Sequence, residues 1–187
     1  MTGPADPADP DFRIVEERTA WSGRRLLRVA EVTVASPEGD LLEREVLHHP
    51  GAVAALPLHD DGTVTLVRQY RVSTGLHMWE IPAGLRDVED EPPAETARRE
   101  LVEEAGLKAD QVEHLTTFHN SPGCSDEIVE VFLATGLSDV PFDRQGAEEQ
   151  HMVVDRVPLA TALAMVDDGR ITDAKTVIGL LLVARRG

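Results

Sequence analysis

GLRDVEDEPPAETARRELVEEAGL, residues 84–107, is the most informative stretch of this 187-residue chain. Between Pro93 and Ala105 the apolar residues recur at the spacing of one helix face. These residues are Ala94, Ala97, Leu101 and Ala105. Gly106 follows directly, and glycine is the residue that most often ends a helix. The pattern therefore predicts an α-helix from Pro93 to Ala105.

Three glutamates share one face of the predicted helix. Residues three and four positions apart are neighbours on a helix, so Glu100, Glu103 and Glu104 present their charges together. Each like-charge pair at this spacing costs about 0.2–0.5 kcal/mol, and Arg99 can offset only part of that repulsion. A divalent cation can hold the carboxylates together, and oxygen ligands suit Mg²⁺ or Mn²⁺. The plain alternative is an acidic helix face exposed to water.

The residues around these glutamates form one ordered string. Glu91 precedes Arg99 by seven intervening residues, and the segment closes with Gly106 and Leu107. This string resembles the Nudix box, in which Gly, five residues, Glu and seven residues precede Arg-Glu-aliphatic-x-Glu-Glu-x-Gly-aliphatic. One difference stands, since six residues separate Gly84 from Glu91 in this sequence. The extra residue falls in the loop before the helix, where it leaves the spacing of the glutamates unchanged.

The resemblance implies an α/β fold, the Nudix α/β/α sandwich with a mixed sheet, over residues 51–187. It also implies that Glu100 and Glu104 bind metal and that Glu103 is an additional ligand or a base. A backbone carbonyl in the preceding loop contributes to such sites, and Ala83 matches its position. The cofactor implied is Mg²⁺, with Mn²⁺ as an alternative.

A second group of residues resembles the ADP-ribose pyrophosphatase branch of that family. Pro122 lies sixteen residues beyond Gly106 in a Ser-Pro-Gly setting that, taken alone, indicates only a turn. Residues 79–84 (WEIPAG) and 68–71 (RQYR), with the extra residue after Gly84, are also similar to that branch. The resemblance implies a metal-dependent pyrophosphohydrolase of nucleotide-sugar metabolism that converts ADP-ribose to AMP and ribose 5-phosphate.

Two other functions stay open at this point. One is a Nudix hydrolase for another nucleoside diphosphate sugar or for a dinucleotide. The other is a module that senses ADP-ribose without hydrolysing it, although such modules usually carry a degraded carboxylate set and an attached segment. Glu100, Glu103 and Glu104 are all present here, which favours an enzyme.

The N-terminal region, residues 12–50, is predicted to form a small antiparallel strand group. Short runs at 26–29 and 32–34 are followed by a turn-like segment at 36–40. In the branch that the sequence resembles, such a group packs against the partner of a homodimer and helps to hold the adenosine. Four residues are predicted to contact substrate: Trp21, Arg44, Arg71 and Pro122. Either Trp21 or Phe12 could stack on adenine. The alternatives are packing at the dimer contact for the aromatic residues and ordinary surface positions for the arginines.

Hydrolysis requires a base that deprotonates the attacking water. In related enzymes the base is a glutamate from a loop after the box, and the loop at residues 146–150 matches that position. Glu149 or Glu148 is therefore the predicted base. A solvated acidic loop is the alternative interpretation.

The remaining pattern predicts alternating strands and helices. Residues 52–58 and 63–67 flank Asp60-Asp61-Gly62, which predicts a hairpin. Further strands are expected at 78–81, 112–118, 128–134 and 152–155, and helices at 159–167 and 172–184. Hairpin strands with interspersed helices fit a mixed sheet covered by helices.

Composition narrows the functional classes. A formal net charge of −16 argues against nucleic-acid binding. Cys124 is the single cysteine, so the chain cannot form an intramolecular disulfide. Residues 1–11 have no signal-peptide pattern and are predicted to be a disordered tail, and the apolar stretch at 176–184 is too short for a membrane span. A cytoplasmic protein without membrane attachment is expected.

Overall fold

The computed structural model describes residues 12–23, 27–143 and 149–186. The described chain divides into two compact units. The first contains the N-terminal residues up to Pro50 together with Ser121–Glu127, and the second contains Gly51–Asn120 and the chain from Ile128 onward. The predicted disordered tail, residues 1–11, lies outside the described residues.

The first unit contains a three-stranded antiparallel sheet. Its strands are β1 (Arg13–Ser22), β2 (Arg28–Ala35) and β3 (Leu41–His48), in the order β1-β2-β3. Between β2 and β3 the Ser36 hydroxyl accepts hydrogen bonds from the backbone N–H groups of Glu38 and Asp40. The predicted antiparallel strand group is confirmed.

The distant segment Ser121–Glu127 belongs to this first unit. The backbone N–H of Leu47 donates to the Cys124 carbonyl over 2.8 Å, and the Ser125 hydroxyl donates to the Leu47 carbonyl over 2.9 Å. Asp126 accepts from the His49 backbone N–H at 2.8 Å. Strand β3 thus fixes the segment that contains Pro122.

The second unit contains the remaining strands and the helices. They are β4 (Ala52–Pro57), β5 (Thr63–Arg71), β6 (Leu76–Glu80), β7 (Ala83–Leu85), α1 (Pro93–Glu100), a π-helical turn (Leu101–Ala105), β8 (Leu107–His119), β9 (Ile128–Asp139), a 3-10 turn (Glu149–His151), β10 (Val153–Pro158), α2 (Leu159–Asp167) and α3 (Ala174–Ala184). One sheet has the order β7-β4-β9-β8 and is mixed, because β4 and β9 run parallel. The other is antiparallel, in the order β10-β5-β6.

Strand β4 is enclosed by helices on both faces. Val53 and Ala55 pack with the apolar residues of α1 and its π-helical turn. Ala54 and Leu56 face the other way and pack with residues of α2 and α3. All four side chains are fully buried. The predicted α/β/α arrangement around a mixed sheet is confirmed.

The predicted hairpin between residues 52–58 and 63–67 is wrong beyond its turn. The turn exists, since Gly62 donates to the His59 carbonyl over 2.9 Å. Pairing across it is limited to a bridge between Leu58 and Val64, and β4 and β5 continue into different sheets. The reason is that β7 and β9 already occupy both edges of β4.

The predicted helix from Pro93 to Ala105 changes its winding after Glu100. Residues Leu101–Ala105 form a π-helical turn, which ends at Gly106 with φ at +64°. A π turn winds more widely than an α-helix, and such turns occur frequently at functional sites. The change falls within the segment that carries Glu103 and Glu104.

No helix among the described residues is both long enough and apolar enough to cross a bilayer.

Thr176 links α3 to Ile81, the residue that follows β6. Its replacement should destabilise the protein. The side chain is fully buried, accepts from the Ile81 N–H over 2.9 Å and donates to Asp173 over 2.6 Å. Thr176→Val leaves the Ile81 N–H without its acceptor, so the free energy of unfolding should fall by about 1–3 kcal/mol in urea titrations. The exposed control Thr172→Val should stay within about 0.5 kcal/mol of wild type. Equal stability of the two variants would contradict this role.

Candidate active site

The acidic face of the predicted helix is largely buried. Glu100 ends α1 and is 7% exposed, whereas Glu104 lies in the π-helical turn and is 5% exposed. Charged carboxylates are rarely buried to this extent unless they are paired or bind a metal. An ordinary solvated acidic face is therefore excluded for these two glutamates.

Both buried carboxylates lie against the backbone of the two consecutive residues Ala83 and Gly84. The Glu104 carboxylate accepts a hydrogen bond from the Ala83 N–H over 2.9 Å. Glu100 lies directly over Gly84, since a Cβ added there would be 2.0 Å from Glu100 Oε1. Three predicted metal-binding residues, Ala83, Glu100 and Glu104, are thus brought together, while their binding of metal remains a prediction.

Arg99 forms ion pairs with acidic side chains of this site and offsets part of their charge. Its Nη1 lies 2.8 Å from Glu100 Oε1 and 3.3 Å from Glu103 Oε2. Its Nη2 lies 3.3 Å from Glu91 Oε2. Glu103, predicted as a further ligand or base, is therefore held by Arg99.

The extra residue before Glu91 is accommodated by a tight turn. The Glu91 N–H donates to the Val88 carbonyl over 3.3 Å, and Asp90 adopts a left-handed conformation with φ at +61°. Aspartate tolerates this region better than most residues with a Cβ. With this turn, Glu91 still reaches Arg99.

The electrostatics of Glu104 indicate a need for positive charge. Burial raises the pKa of Glu104 to about 8, and the nearby Glu100 carboxylate acts in the same direction. The hydrogen bond from Ala83 and the charges of Arg71 and Lys175 only partly oppose this effect. A cation placed between Glu100 and Glu104 would favour the ionised forms of both.

The donor set fits a hard divalent cation. Across residues 12–23, 27–143 and 149–186, no three Asp, Glu, His or Cys side chains are already arranged around a common point that could hold an ion. Glu100 and Glu104 nevertheless supply carboxylate oxygens beside a peptide unit, and Mg²⁺ is commonly bound through one or two carboxylates with other oxygens completing the shell. The chemistry of these residues is therefore compatible with a resident divalent cation.

A second charged group, the Glu80 network, consists of Glu80, Arg71, Lys175 and Asp173. Glu80 is 1% exposed and accepts two hydrogen bonds from Arg71, from Nε and from Nη2, each over 2.7 Å. Lys175 also donates to Glu80 and reaches Asp173 over 2.9 Å. Burial disfavours the charge on Glu80, but the bonds from Arg71 and the charge of Lys175 outweigh it and lower the pKa of Glu80.

Sequence reasoning singled out Arg71 but missed Glu80 and Lys175. The usable signal was Glu80 itself, a charged residue at the end of an otherwise apolar strand segment, where an ionised side chain needs a partner. Nothing in the sequence pairs it with Lys175, which lies 95 positions away.

The other predicted site residues lie in the first unit or outside the described side chains. Arg44, on β3, lines a hollow of about 450 Å³ on the β1-β2-β3 sheet and donates to the Glu43 carbonyl. Trp21, on β1, is 55% exposed. Glu148 lies outside the described residues, and Glu149 begins the 3-10 turn Glu149–His151 with its side chain outside them.

Comparison with known proteins settles the family. The Nudix domain model matches residues 48–177 of this chain. The chain belongs to the Nudix family. The resemblance drawn from residues 84–107 is thereby confirmed, and enzymes of this family depend on a divalent cation.

The relatives of this Nudix protein match over most of its length. It is 40% identical over 176 residues to an ADP-ribose pyrophosphatase of Mycobacterium tuberculosis, covering 94% of this chain and 84% of the relative. It is 41% identical over 171 residues to an ADP-ribose pyrophosphatase of Bacillus subtilis, covering 88% and 91%. A crystal structure of an ADP compounds hydrolase aligns with a TM-score of 0.80 and 25% identity, covering 93% and 92%.

Gly84→Ala should weaken metal binding while leaving the fold intact. Gly84 does not have a positive φ, so alanine fits its backbone, but the new Cβ displaces the Glu100 carboxylate. We expect Mn²⁺ affinity, measured by calorimetric titration, to fall roughly 10–100-fold, as for lost support of a metal ligand. The control Gly123→Ala, also at a glycine without a positive φ, adds a Cβ that meets nothing within 4 Å and should leave Mn²⁺ affinity unchanged. Equal Mn²⁺ affinity in both variants would contradict the position assigned to Glu100.

Proposed function

We propose that this Nudix protein hydrolyses the diphosphate bond of ADP-ribose to AMP and ribose 5-phosphate, with Mg²⁺ as its cation and Mn²⁺ as a possible replacement. The observation that carries the proposal is the convergence of two buried carboxylates, Glu100 and Glu104, on the backbone of Ala83 and Gly84. The likeness to two ADP-ribose pyrophosphatases over most of both chains supports ADP-ribose as the substrate.

Glu100, Glu104 and the Ala83 carbonyl are the groups that would hold the cation. When bound, a divalent cation would offset the negative charge of the diphosphate oxygens during cleavage. Burial of the two carboxylates excludes competing water from their oxygens and strengthens their interaction with a cation. Arg99 keeps Glu100 oriented through its 2.8 Å ion pair.

Arg71 is proposed to bind the diphosphate. Its Nε and Nη2 are fixed by Glu80, which holds the guanidinium in one orientation. Within the described part of the chain, no acceptor is found for Nη1 of Arg71. A planar guanidinium with a free edge is well suited to phosphate oxygens. If Arg71 turned away from Glu80, the buried carboxylate would lose a charged partner, and the free energy of the protein would rise.

The general base is proposed to be Glu149 or Glu148, which would take a proton from the attacking water on a carboxylate oxygen. Glu103 is the alternative base within the box.

The first unit is proposed to hold the adenosine and to form the contact of a homodimer. Supporting this, β1 exposes several large apolar side chains, a pattern typical of interaction surfaces. They are Ile14, Val15 and Trp21, and Phe12 precedes them. Arg44 and Pro122 are proposed as further contacts to the substrate. A cytoplasmic location is part of the proposal and rests on the single cysteine and on the nucleotide substrate.

The purified protein should convert ADP-ribose to AMP and ribose 5-phosphate when Mg²⁺ is present. Products can be resolved by ion-exchange chromatography across a panel of nucleoside diphosphate sugars and dinucleotides. Excess EDTA should abolish turnover and added Mg²⁺ should restore it, because the buried carboxylates need the cation to engage the diphosphate. Rapid turnover of another panel member with ADP-ribose left intact would refute the assigned substrate.

Glu104→Gln should reduce kcat by orders of magnitude without unfolding the protein. The amide oxygen can still accept from the Ala83 N–H, but the charge that binds the cation is lost. The matched control is Glu95→Gln on the same helix, where the side chain is 60% exposed and pairs with Arg98. Thermal unfolding should match wild type in both variants, and only Glu104→Gln should lose activity. A kcat for Glu104→Gln equal to that of Glu95→Gln would refute the role of Glu104.

A further inference from the structure

Gln69 on β5 is a buried polar side chain with an unsatisfied donor. The residue is 6% exposed, and its amide nitrogen Nε2 has no hydrogen-bond partner among the described residues. Buried amide groups in folded proteins are nearly always hydrogen bonded, so an exception calls for a physical explanation. One such explanation is that a ligand supplies the missing acceptor.

The neighbours of Gln69 are the groups proposed to bind the diphosphate. Side chains two residues apart on a strand share a face and are separated by about 7 Å, so Gln69 lies beside Arg71. The register between β5 and β6 pairs Val67 with Glu80 and therefore places Glu80 on this face too. The hydrogen bonds between Arg71 and Glu80 agree with that placement. This face of β5 therefore carries two adjacent hydrogen-bond donors, the cationic guanidinium of Arg71 and the neutral amide of Gln69.

This face of β5 is also close to the carboxylate site. Strand β5 packs against the π-helical turn Leu101–Ala105, which carries Glu104. The charges of Arg71 and Glu104 act on each other, which requires the two side chains to be near. On the opposite face of β5, Arg68 and Tyr70 are exposed. A diphosphate held beside Glu104 and Arg71 therefore lies on the same side of the strand as Gln69.

We propose that Gln69 is a substrate-binding residue whose side-chain amide donates to a phosphate oxygen of the bound nucleoside diphosphate, next to the guanidinium of Arg71. The inference rests on the proposed function, because the ligand is its diphosphate substrate. A phosphate oxygen is a charged acceptor, and hydrogen bonds to charged groups are the stronger ones. Burial among β5, β6 and the π-helical turn restricts the amide, so little side-chain freedom is lost when the ligand binds.

The decisive variant is Gln69→Leu, which keeps roughly the same volume and removes the amide. Calorimetric titration into the Mg²⁺-loaded protein of a non-hydrolysable ADP-ribose analogue, in which a methylene group replaces the oxygen between the two phosphates, measures binding without turnover. We expect the Kd to rise roughly 10–100-fold, the range for a hydrogen bond to a charged group. In the Mg²⁺-loaded enzyme, KM should rise by a similar factor. The melting temperature should stay the same or increase, because an unsatisfied buried donor has been removed.

The matched control is Gln111→Leu, which makes the same substitution at an exposed position of β8. It should leave the Kd, the KM and the melting temperature unchanged. Gln69→Glu is the second variant, since it keeps the size and polarity of the side chain but places a negative charge beside the phosphate. It should bind ADP-ribose more weakly than Gln69→Leu does.

Three results would overturn the inference. An unchanged Kd in Gln69→Leu means that water or the protein satisfies the amide. A marked fall in melting temperature in Gln69→Leu, with Gln69→Glu binding as wild type does, means that the residue is structural. Equal Kd values for both variants and wild type also exclude a contact with phosphate. If wild type neither binds nor cleaves ADP-ribose, the proposed substrate fails, and the same comparison is made with whichever nucleoside diphosphate the wild type cleaves.

Discussion

The burial of two carboxylates against the backbone of Ala83 and Gly84 is the constraint on which the second unit depends. Glu104 accepts from the Ala83 N–H, and Glu100 occupies the space where a side chain on Gly84 would lie. Both glutamates belong to a helical segment whose apolar residues pack on β4, and β4 also pairs with β7, which contains Ala83. The core thereby fixes the distance between the acidic side chains and the backbone of Ala83 and Gly84, because close-packed interiors resist small displacements.

The Glu80 network pairs two carboxylates with two cations, and the charges of both cations, Arg71 and Lys175, also act on Glu104. Glu80, fully enclosed, binds both Arg71 and Lys175, and Asp173 binds Lys175 and caps α3 through the Thr176 N–H. Removing one member of such a buried set leaves an uncompensated charge, which is more costly than losing a surface ion pair. A chain with a net charge of −16 can in this way still hold a guanidinium in a fixed orientation.

Much of the fold and part of the site were predictable because they depend on local pattern. The apolar spacing over residues 93–105, the glycine at 106 and the turn at 36–40 each specify a backbone conformation within a few residues. The fixed spacing of the box also identified Glu100 and Glu104, since its residues lie on one helical segment. The prediction of a hairpin around residues 60–62 was wrong beyond the turn for a non-local reason. Both edges of β4 pair with strands from elsewhere in the chain, β7 and β9.

By itself, the sequence determined the family, the helix that carries the glutamates and the antiparallel group at the N-terminus, because each depends on residues close together in the chain. Tertiary structure alone decided three things: the burial of the glutamates, the sharing of Glu80 by Arg71 and Lys175, and the attachment of Ser121–Glu127 to β3. Each of these features includes a contact between residues 21 or more positions apart. Contacts of this kind follow from how whole elements pack, and single-sequence periodicity carries no record of that packing.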